Sequence, residues 1–153
     1  MKKSLGQNFL IDHNIARKIA NLLNHYSSYN LIEVGPGKGF LTDYLIKQKP
    51  KKIFLIEKDR NLIEFLKNKF GENAQILNED ILKFSKKNLL TNNSIIFGNL
   101  PYNVSSQILT KFIFNNENLK FKLLVFMFQK ELADRIVATV DSSNYGRLSI
   151  LSR

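Results

Sequence analysis

The order of apolar segments along the chain predicts an α/β domain built on a mainly parallel sheet. Three observations carry this expectation. Short apolar runs that read as strands alternate with stretches whose apolar residues recur at helical spacing. The strand runs are nearly continuous in apolar residues, as expected where helices cover both faces of a sheet. A glycine-rich turn closes the first of them, at the strand-to-helix junction where open α/β sheets bind ligands.

The elements follow in order. Ile11, Ile15, Ile19, Leu22 and Leu23 recur at helical spacing, with Asp12 as the N-cap. Leu31-Ile32-Glu33-Val34 is a first strand ending in Gly35. Phe40, Leu41, Tyr44 and Leu45 mark a helix that stops before Pro50. Ile53 to Ile56 is a second strand ending at Glu57. Leu62, Ile63, Phe65, Leu66 and Phe70 form one helical face, closed by Gly71. Ala74 to Leu77 is a weaker third strand, and Ser94 to Phe97 a fourth, ending at Gly98-Asn99. Ile108, Leu109, Phe112 and Ile113 are helical, Leu123 to Phe128 is a fifth strand, and Leu132, Ile136 and Val137 continue as a helix. A further element begins at Tyr145-Gly146-Arg147.

At 153 residues the chain reads as one domain, 1–153, large enough to bury a core. Its 44% hydrophobic and 24% charged residues argue against disorder over the whole length. With no cysteine there is no disulfide framework, cysteine-ligated zinc, iron–sulfur cluster or thiol catalysis, and two histidines, His13 and His25, make a metal site an unpromising reading. No apolar run approaches the roughly 18 residues of a membrane span. The polar start is unlike a signal peptide, so a cytoplasmic protein without membrane partner is expected. The net charge of +10 and pI near 9.8 make a polyanion a candidate partner. The same abundance of Lys, Asn, Ile and Phe also follows from AT-rich coding, so charge alone decides nothing.

Four places carry chemistry. Glu33-Val34-Gly35-Pro36-Gly37-Lys38-Gly39 has G-x-G-x-G spacing, not the G-x-G-x-x-G of dinucleotide folds, and Gly35 and Gly37 let backbone approach a ligand closely. Glu57, at the end of the second strand, can accept from both ribose hydroxyls of a nucleoside cofactor, or simply pair with Lys58. Asp80, after the third strand, can accept from an adenine amino group, or act as a turn residue. Asn99-Leu100-Pro101-Tyr102 follows the fourth strand. An amide oxygen and a backbone carbonyl there can accept both hydrogens of a planar exocyclic amine, freeing its lone pair for attack. Pro101 stiffens the turn, and Tyr102 offers a face for a flipped-out base.

Taken with Gln7-Asn8-Phe9-Leu10, Glu79-Asp80, Gln129-Lys130-Glu131 and Tyr145-Gly146-Arg147-Leu148-Ser149, these motifs match one family in order and spacing from about residue 4 to the last residue. The chain resembles the KsgA-type small-subunit ribosomal RNA adenine N6-dimethyltransferases. The resemblance implies a Rossmann-like class I methyltransferase domain using S-adenosyl-L-methionine, with strand order 3-2-1-4-5. It implies dimethylation of two adjacent adenosines in the 3′-terminal hairpin of small-subunit rRNA, on an immature small ribosomal subunit. By the family's pattern Asn8, Leu10, Gly35, Glu57, Asp80 and Asn99 contact the cofactor. Asn99 and the Leu100 carbonyl receive the target N6, and Tyr102 stacks on the target adenine. Lys2, Lys3, Arg17 and Lys18 are candidate phosphate contacts, which would add affinity without sequence information.

Family members are longer, with two further strands and a C-terminal helical domain. The expectation is therefore a chain incomplete at its C-terminal side, competent to bind cofactor but with reduced or absent rRNA methylation. It would be a monomer, with its fifth strand an exposed edge open to association. Three rival readings stand beside this one: a macrolide-resistance-type large-subunit rRNA methylase, a non-catalytic small-subunit binding module, and an NAD-dependent dehydrogenase, the last disfavoured by the glycine spacing and by Asn99 to Tyr102.

Overall fold

The computed structural model describes residues 11–84, 89–101, 103–114 and 120–153. Among these, five strands alternate with helices: β1 (Asn30–Val34), β2 (Lys52–Glu57), β3 (Gln75–Asn78), β4 (Ser94–Asn99) and β5 (Leu123–Met127). The helices are α1 (His13–Asn21), α2 (Thr42–Leu45), α3 (Arg60–Phe70), α4 (Ser105–Phe114), α5 (Lys130–Val137) and α6 (Arg147–Leu151). The strands form one sheet in the order β3-β2-β1-β4-β5. Every adjacent pair is parallel, with Val34 level with Ile56 on one side and with Gly98 on the other. Fold class and strand order are those the sequence predicts.

Alternation along the strands divides the core in two. Leu31, Ile53, Leu55, Ile95 and Phe97 face α1, α2 and α3, where they meet Ala16, Ala20, Leu45, Leu66 and Phe70. Ile32, Val34, Phe54, Ile56 and Ile96 face the other way, against Ile108 and Phe112 of α4 and against Ile81, Phe84 and Leu90. The three central strands are thus buried on both sides, which is why they read as continuous apolar runs. The edge strands β3 and β5 are only part-buried.

Local differences from the sequence reading have physical causes. Asp12 caps α1 as expected, accepting from the Asn14 and Ile15 amides at 2.7 and 3.1 Å. Of the predicted residues, Leu23 is buried and Ile19 packs against the core, but the buried residues of α1 itself are Ala16 and Ala20, and Ile11, Ile15 and Leu22 are 79, 46 and 54% exposed. A 3.6-residue period fits both stripes, and the alanines allow α1 a closer approach to its neighbours. The helix predicted from Phe40 is a single α turn, α2, passing into a 3-10 turn over Ile46–Gln48. It ends where Lys49 takes the left-handed conformation, φ 51°. Phe65, on the predicted helical face of α3, and Val137, in the predicted helix after β5, are 45% and 73% exposed. β3 is shifted one residue along from the predicted run, and β4 continues through Asn99, carrying the asparagine on the strand itself.

Candidate active site

The carboxyl ends of β1 and β2, the turn after β3 and the start of α4 surround one pocket with about 450 Å³ of empty space, part of it open to solvent. Its walls are mostly apolar: Val34, Ile56, Ile81, Leu82, Val104 and Ile108, with Pro101 at the end of β4. Gly35, Glu57 and Asp80 bring the polar groups.

The glycine turn supplies the floor. Gly35 and Gly39 have φ of +66° and +76°, a region that side chains rarely adopt. They need glycine for different reasons. A Cβ on Gly35 would meet nothing within 4 Å, so the space beside it is open to the pocket. A Cβ on Gly39 would lie 2.2 Å from a ring carbon of Phe70, so glycine there lets α3 pack against the turn.

Glu57 is 5% exposed. Its Oε1 accepts from the Asp59 amide at 2.8 Å and its Oε2 from the Gly37 amide at 3.2 Å. Gly37 therefore serves the site by holding this carboxylate. Burial raises the Glu57 pKa, and the backbone donors work against that rise. A carboxylate offers about four acceptor positions, so two backbone bonds leave capacity for a diol. Asn78 braces the same strand end, its Nδ2 donating to the Glu57 carbonyl at 2.9 Å.

Asp80 lines the same pocket. Lys58 pairs with its Oδ2 at 2.8 Å, not with Glu57 as one reading of the sequence had it, and Leu82 N–H donates to Oδ1 at 3.0 Å. Partial burial pushes the Asp80 pKa up, but the Lys58 ammonium and the Leu82 amide outweigh it and hold the carboxyl below its ordinary range. Asp80 thus combines the turn role and the pocket position that the sequence left as alternatives.

Asn99 closes β4 opposite Met127, one strand away from the glycine turn. The Leu100 side chain is 2% exposed and belongs to the core beside α4. Pro101 lines the pocket. Arg17 and Lys18 are exposed on α1 and do not line it. Asn8, Leu10, Lys2, Lys3 and Tyr102 lie outside the described residues.

Two features escaped the sequence reading. Glu33 is 2% exposed on β1, and its Oε2 accepts from Thr42 Oγ1 at 2.7 Å. Desolvation pushes its pKa up to about 7 against the pull of that hydroxyl, and the neighbouring Glu57 charge adds to the rise. The signal was present: an acid inside an apolar strand, nine residues before a threonine at the first position of α2. The apolar wall from α4 was also missed, although Val104 and Ile108 sit four residues apart and so share one helical face. Among the described residues, no group of three or more His, Cys, Asp or Glu could hold a metal ion, and no helix is long and apolar enough to cross a membrane.

A parallel sheet in this order, with a glycine turn after β1 and an acid at the end of β2, is a Rossmann-like fold of the kind that class I methyltransferases share with dinucleotide-binding domains. The chain belongs to the ribosomal RNA adenine dimethylase family, whose model matches residues 1–153. The ribosomal RNA small subunit methyltransferase A of Pelagibacter ubique (strain HTCC1062) is 51% identical over 152 residues, 99% of this chain and 58% of that protein. Its counterpart in Mycoplasma mobile is 44% identical, again over 99% of this chain and 58% of that protein. The chain therefore spans a little under three fifths of the length of these curated relatives. Among solved structures, a dimethyladenosine transferase from Plasmodium falciparum superposes with a TM-score of 0.79 at 32% identity, covering 94% of this chain and 51% of that one. The 23S rRNA methyltransferase ErmE gives 0.75 at 25% identity, covering 95% and 55%.

Proposed function

We propose that the chain carries the S-adenosylmethionine-binding and target-adenine part of a small-subunit rRNA adenine N6-dimethyltransferase, acting in the cytoplasm on two adjacent adenosines of the 3′-terminal hairpin in immature subunits. The observation that carries the proposal is that Glu57, Asp80 and Gly35 line one mostly apolar pocket at the carboxyl ends of the strands. The residues fit a nucleoside-based cofactor. A buried carboxylate with free acceptor capacity suits a ribose diol. A second carboxylate held ionised suits an adenine amino group. The apolar walls between them suit a purine face, and the open side of Gly35 leaves room for the rest of the molecule.

When bound, the sulfonium supplies an electrophilic methyl carbon. The chain's own task is placement. Glu57 and Asp80 fix the two ends of the nucleoside. Asn99 and the Leu100 carbonyl accept the two hydrogens of the target amine, which leaves its lone pair directed away from them. Tyr102 stacks on the extruded base. The nitrogen's proton then passes to solvent, so no general base is required. Lys2, Lys3, Arg17 and Lys18 contribute phosphate contacts that raise affinity and make it salt-dependent.

The large-subunit reading is second: the higher identity to the small-subunit relatives, 51% against 25% for ErmE, supports the small-subunit target. Titration calorimetry with S-adenosylmethionine tests the pocket. Saturable binding is expected, reduced at least about a hundredfold by Glu57→Ala, since a buried charge-assisted contact is lost twice over. Absence of heat with folded protein would refute the proposal. Methyl transfer to immature small subunits against large-subunit rRNA separates the two targets, and Asn99→Ala separates chemistry from mere binding.

A further inference from the structure

The last turn of α4 holds an arrangement that the proposed chemistry does not use. Lys111 Nζ donates to three backbone carbonyls: Ile81 at 2.9 Å, Leu82 at 2.9 Å and Phe84 at 2.7 Å. An ammonium has three protons, so all of them are spent on one short stretch of chain. That stretch is the turn carrying Asp80. Its own bonds run from Lys83 N to the Asp80 carbonyl at 2.9 Å and from Phe84 N to the Ile81 carbonyl at 3.3 Å. Ile81 and Phe84 are sunk in the core at 8 and 3% exposure. Glu79, Asp80, Ile81 and Leu82 line the pocket, whereas Lys111 does not. It holds the turn from the α4 side, and the pocket is lined by the residues it holds.

We infer that Lys111 is a positioning residue for the adenine end of the site: by tying the 81, 82 and 84 carbonyls it fixes the turn in which Asp80, held by the Leu82 amide, presents an acceptor to a 6-amino purine. The inference rests on the proposed cofactor reading. Its physical basis is that the turn's own bonds, with Leu82 N–H to Asp80 Oδ1 among them, all run between residues two or three apart, so none of them ties the turn to the helix beside it. Three charge-assisted donors from a neighbouring helix supply the missing constraint. Part-burial lowers the Lys111 pKa, with the Asp80 charge opposing. Lysine is a costly choice for packing alone, and an uncharged residue of similar length would fill the same space.

The test uses the chain as it stands, with two ligands that differ at the purine 6 position, S-adenosylhomocysteine and S-inosylhomocysteine, titrated by calorimetry. The parent chain is expected to prefer the 6-amino ligand by at least about tenfold, the discrimination of one good hydrogen bond to a charged acceptor. Lys111→Met keeps the apolar stem and removes the donors. It should lower S-adenosylhomocysteine affinity by about tenfold and bring the ratio close to one, leaving S-inosylhomocysteine little changed. Lys111→Arg should restore most of the preference. Without ligand, amide hydrogen exchange at Lys83 and Phe84 should accelerate in Lys111→Met. A folded Lys111→Met chain that keeps the parent's ratio overturns the inference, and so does unchanged exchange at these two amides. If Lys111→Met does not fold, Lys111→Leu, which likewise carries no donor, is read in the same way. If the parent binds neither ligand, the cofactor reading itself fails. If it binds both and only the ratio is insensitive to Lys111, that reading stands and this one falls.

Discussion

Phe97 in β4 has no exposed surface, whereas Val137 in α5 keeps 73% of its surface open. The two residues mark two ways of holding structure together in one chain. β2, β1 and β4 are sealed between helices on one face and α4 with Ile81, Phe84 and Leu90 on the other. The α5–α6 hairpin has no buried residue in α5 and only Ser149 in α6. It is joined by side chains on the carbonyl end of α5: Ser149 Oγ to the Arg135 carbonyl at 2.6 Å, Ser152 Oγ to that of Ile136 at 2.8 Å, and the Arg153 guanidinium to that of Ala138 at 3.1 Å. Gly35 and Glu57 grow out of the first region, at the ends of sealed strands, whereas Asp80 follows the edge strand β3 and is held by Lys58 and the Leu82 amide.

The sharpest way to break the contrast is a matched pair of truncations. Phe97→Ala removes a ring from a core without room to collapse, and should cost about 3–5 kcal/mol in a urea titration. Val137→Ala removes a side chain already in water and should stay within about 0.5 kcal/mol. Equal effects would mean that the hairpin packs in solution against surface it does not touch here.

The buried carboxylate of Glu33 offers a test of the sealed region through pH. Its pKa is raised from 4.5 to about 7 by burial. Below about pH 4.5 it is protonated both folded and unfolded. Between these values the folded chain keeps a proton that the unfolded chain has released, so its contribution to stability falls as pH rises and is lost above about 7. Glu57, raised in the same direction, adds to that slope. Glu33→Gln keeps an oxygen for the Thr42 hydroxyl and has nothing to titrate. Relative to the parent it should gain stability from pH 5 to pH 8, by on the order of 3 kcal/mol at most. Parallel stability profiles for the two chains would show that Glu33 is ionised without penalty and that the strand ends are wetter than they look.

How much of this was legible follows the same division. Periodicity and run length identified the sheet, its parallel strands and the turn after β1, because buried strands leave no polar interruptions to confuse the pattern. Glu57 and Asp80 could be named because the ends of strands are fixed by the runs before them. The stripe of α1 was legible at Ile19 and Leu23 but not at Ala16 and Ala20, because two apolar faces one residue apart fit one helical period, and alanine gains by closeness what isoleucine gains by size. Lys111 was invisible for a different reason. Its partners are carbonyls some thirty residues away, and a backbone carbonyl has no signature in sequence. Ser149 lay in a motif recognised as a block, yet nothing in the block said that its hydroxyl would reach back to α5.

That hydroxyl sharpens the comparison with the smallest change. Ser149 has no exposed surface, donates to the Arg135 carbonyl and accepts from the Gly146 amide at 3.2 Å. Ser149→Ala leaves both backbone groups without that partner, at a cost of about 1 kcal/mol if water can replace it. In a chain stabilised throughout by one core, this loss would appear as a shift of the whole unfolding midpoint. In a chain with a separately held hairpin, it should appear first as faster amide exchange in α5 and α6, with the midpoint of the strands nearly unmoved. Exchange that accelerates equally in β1 and β4 would join the hairpin to the core as one cooperative unit. Acceleration confined to residues 130–153 would show that the glycine turn, Glu57 and Asp80 keep their places whether or not the hairpin is closed.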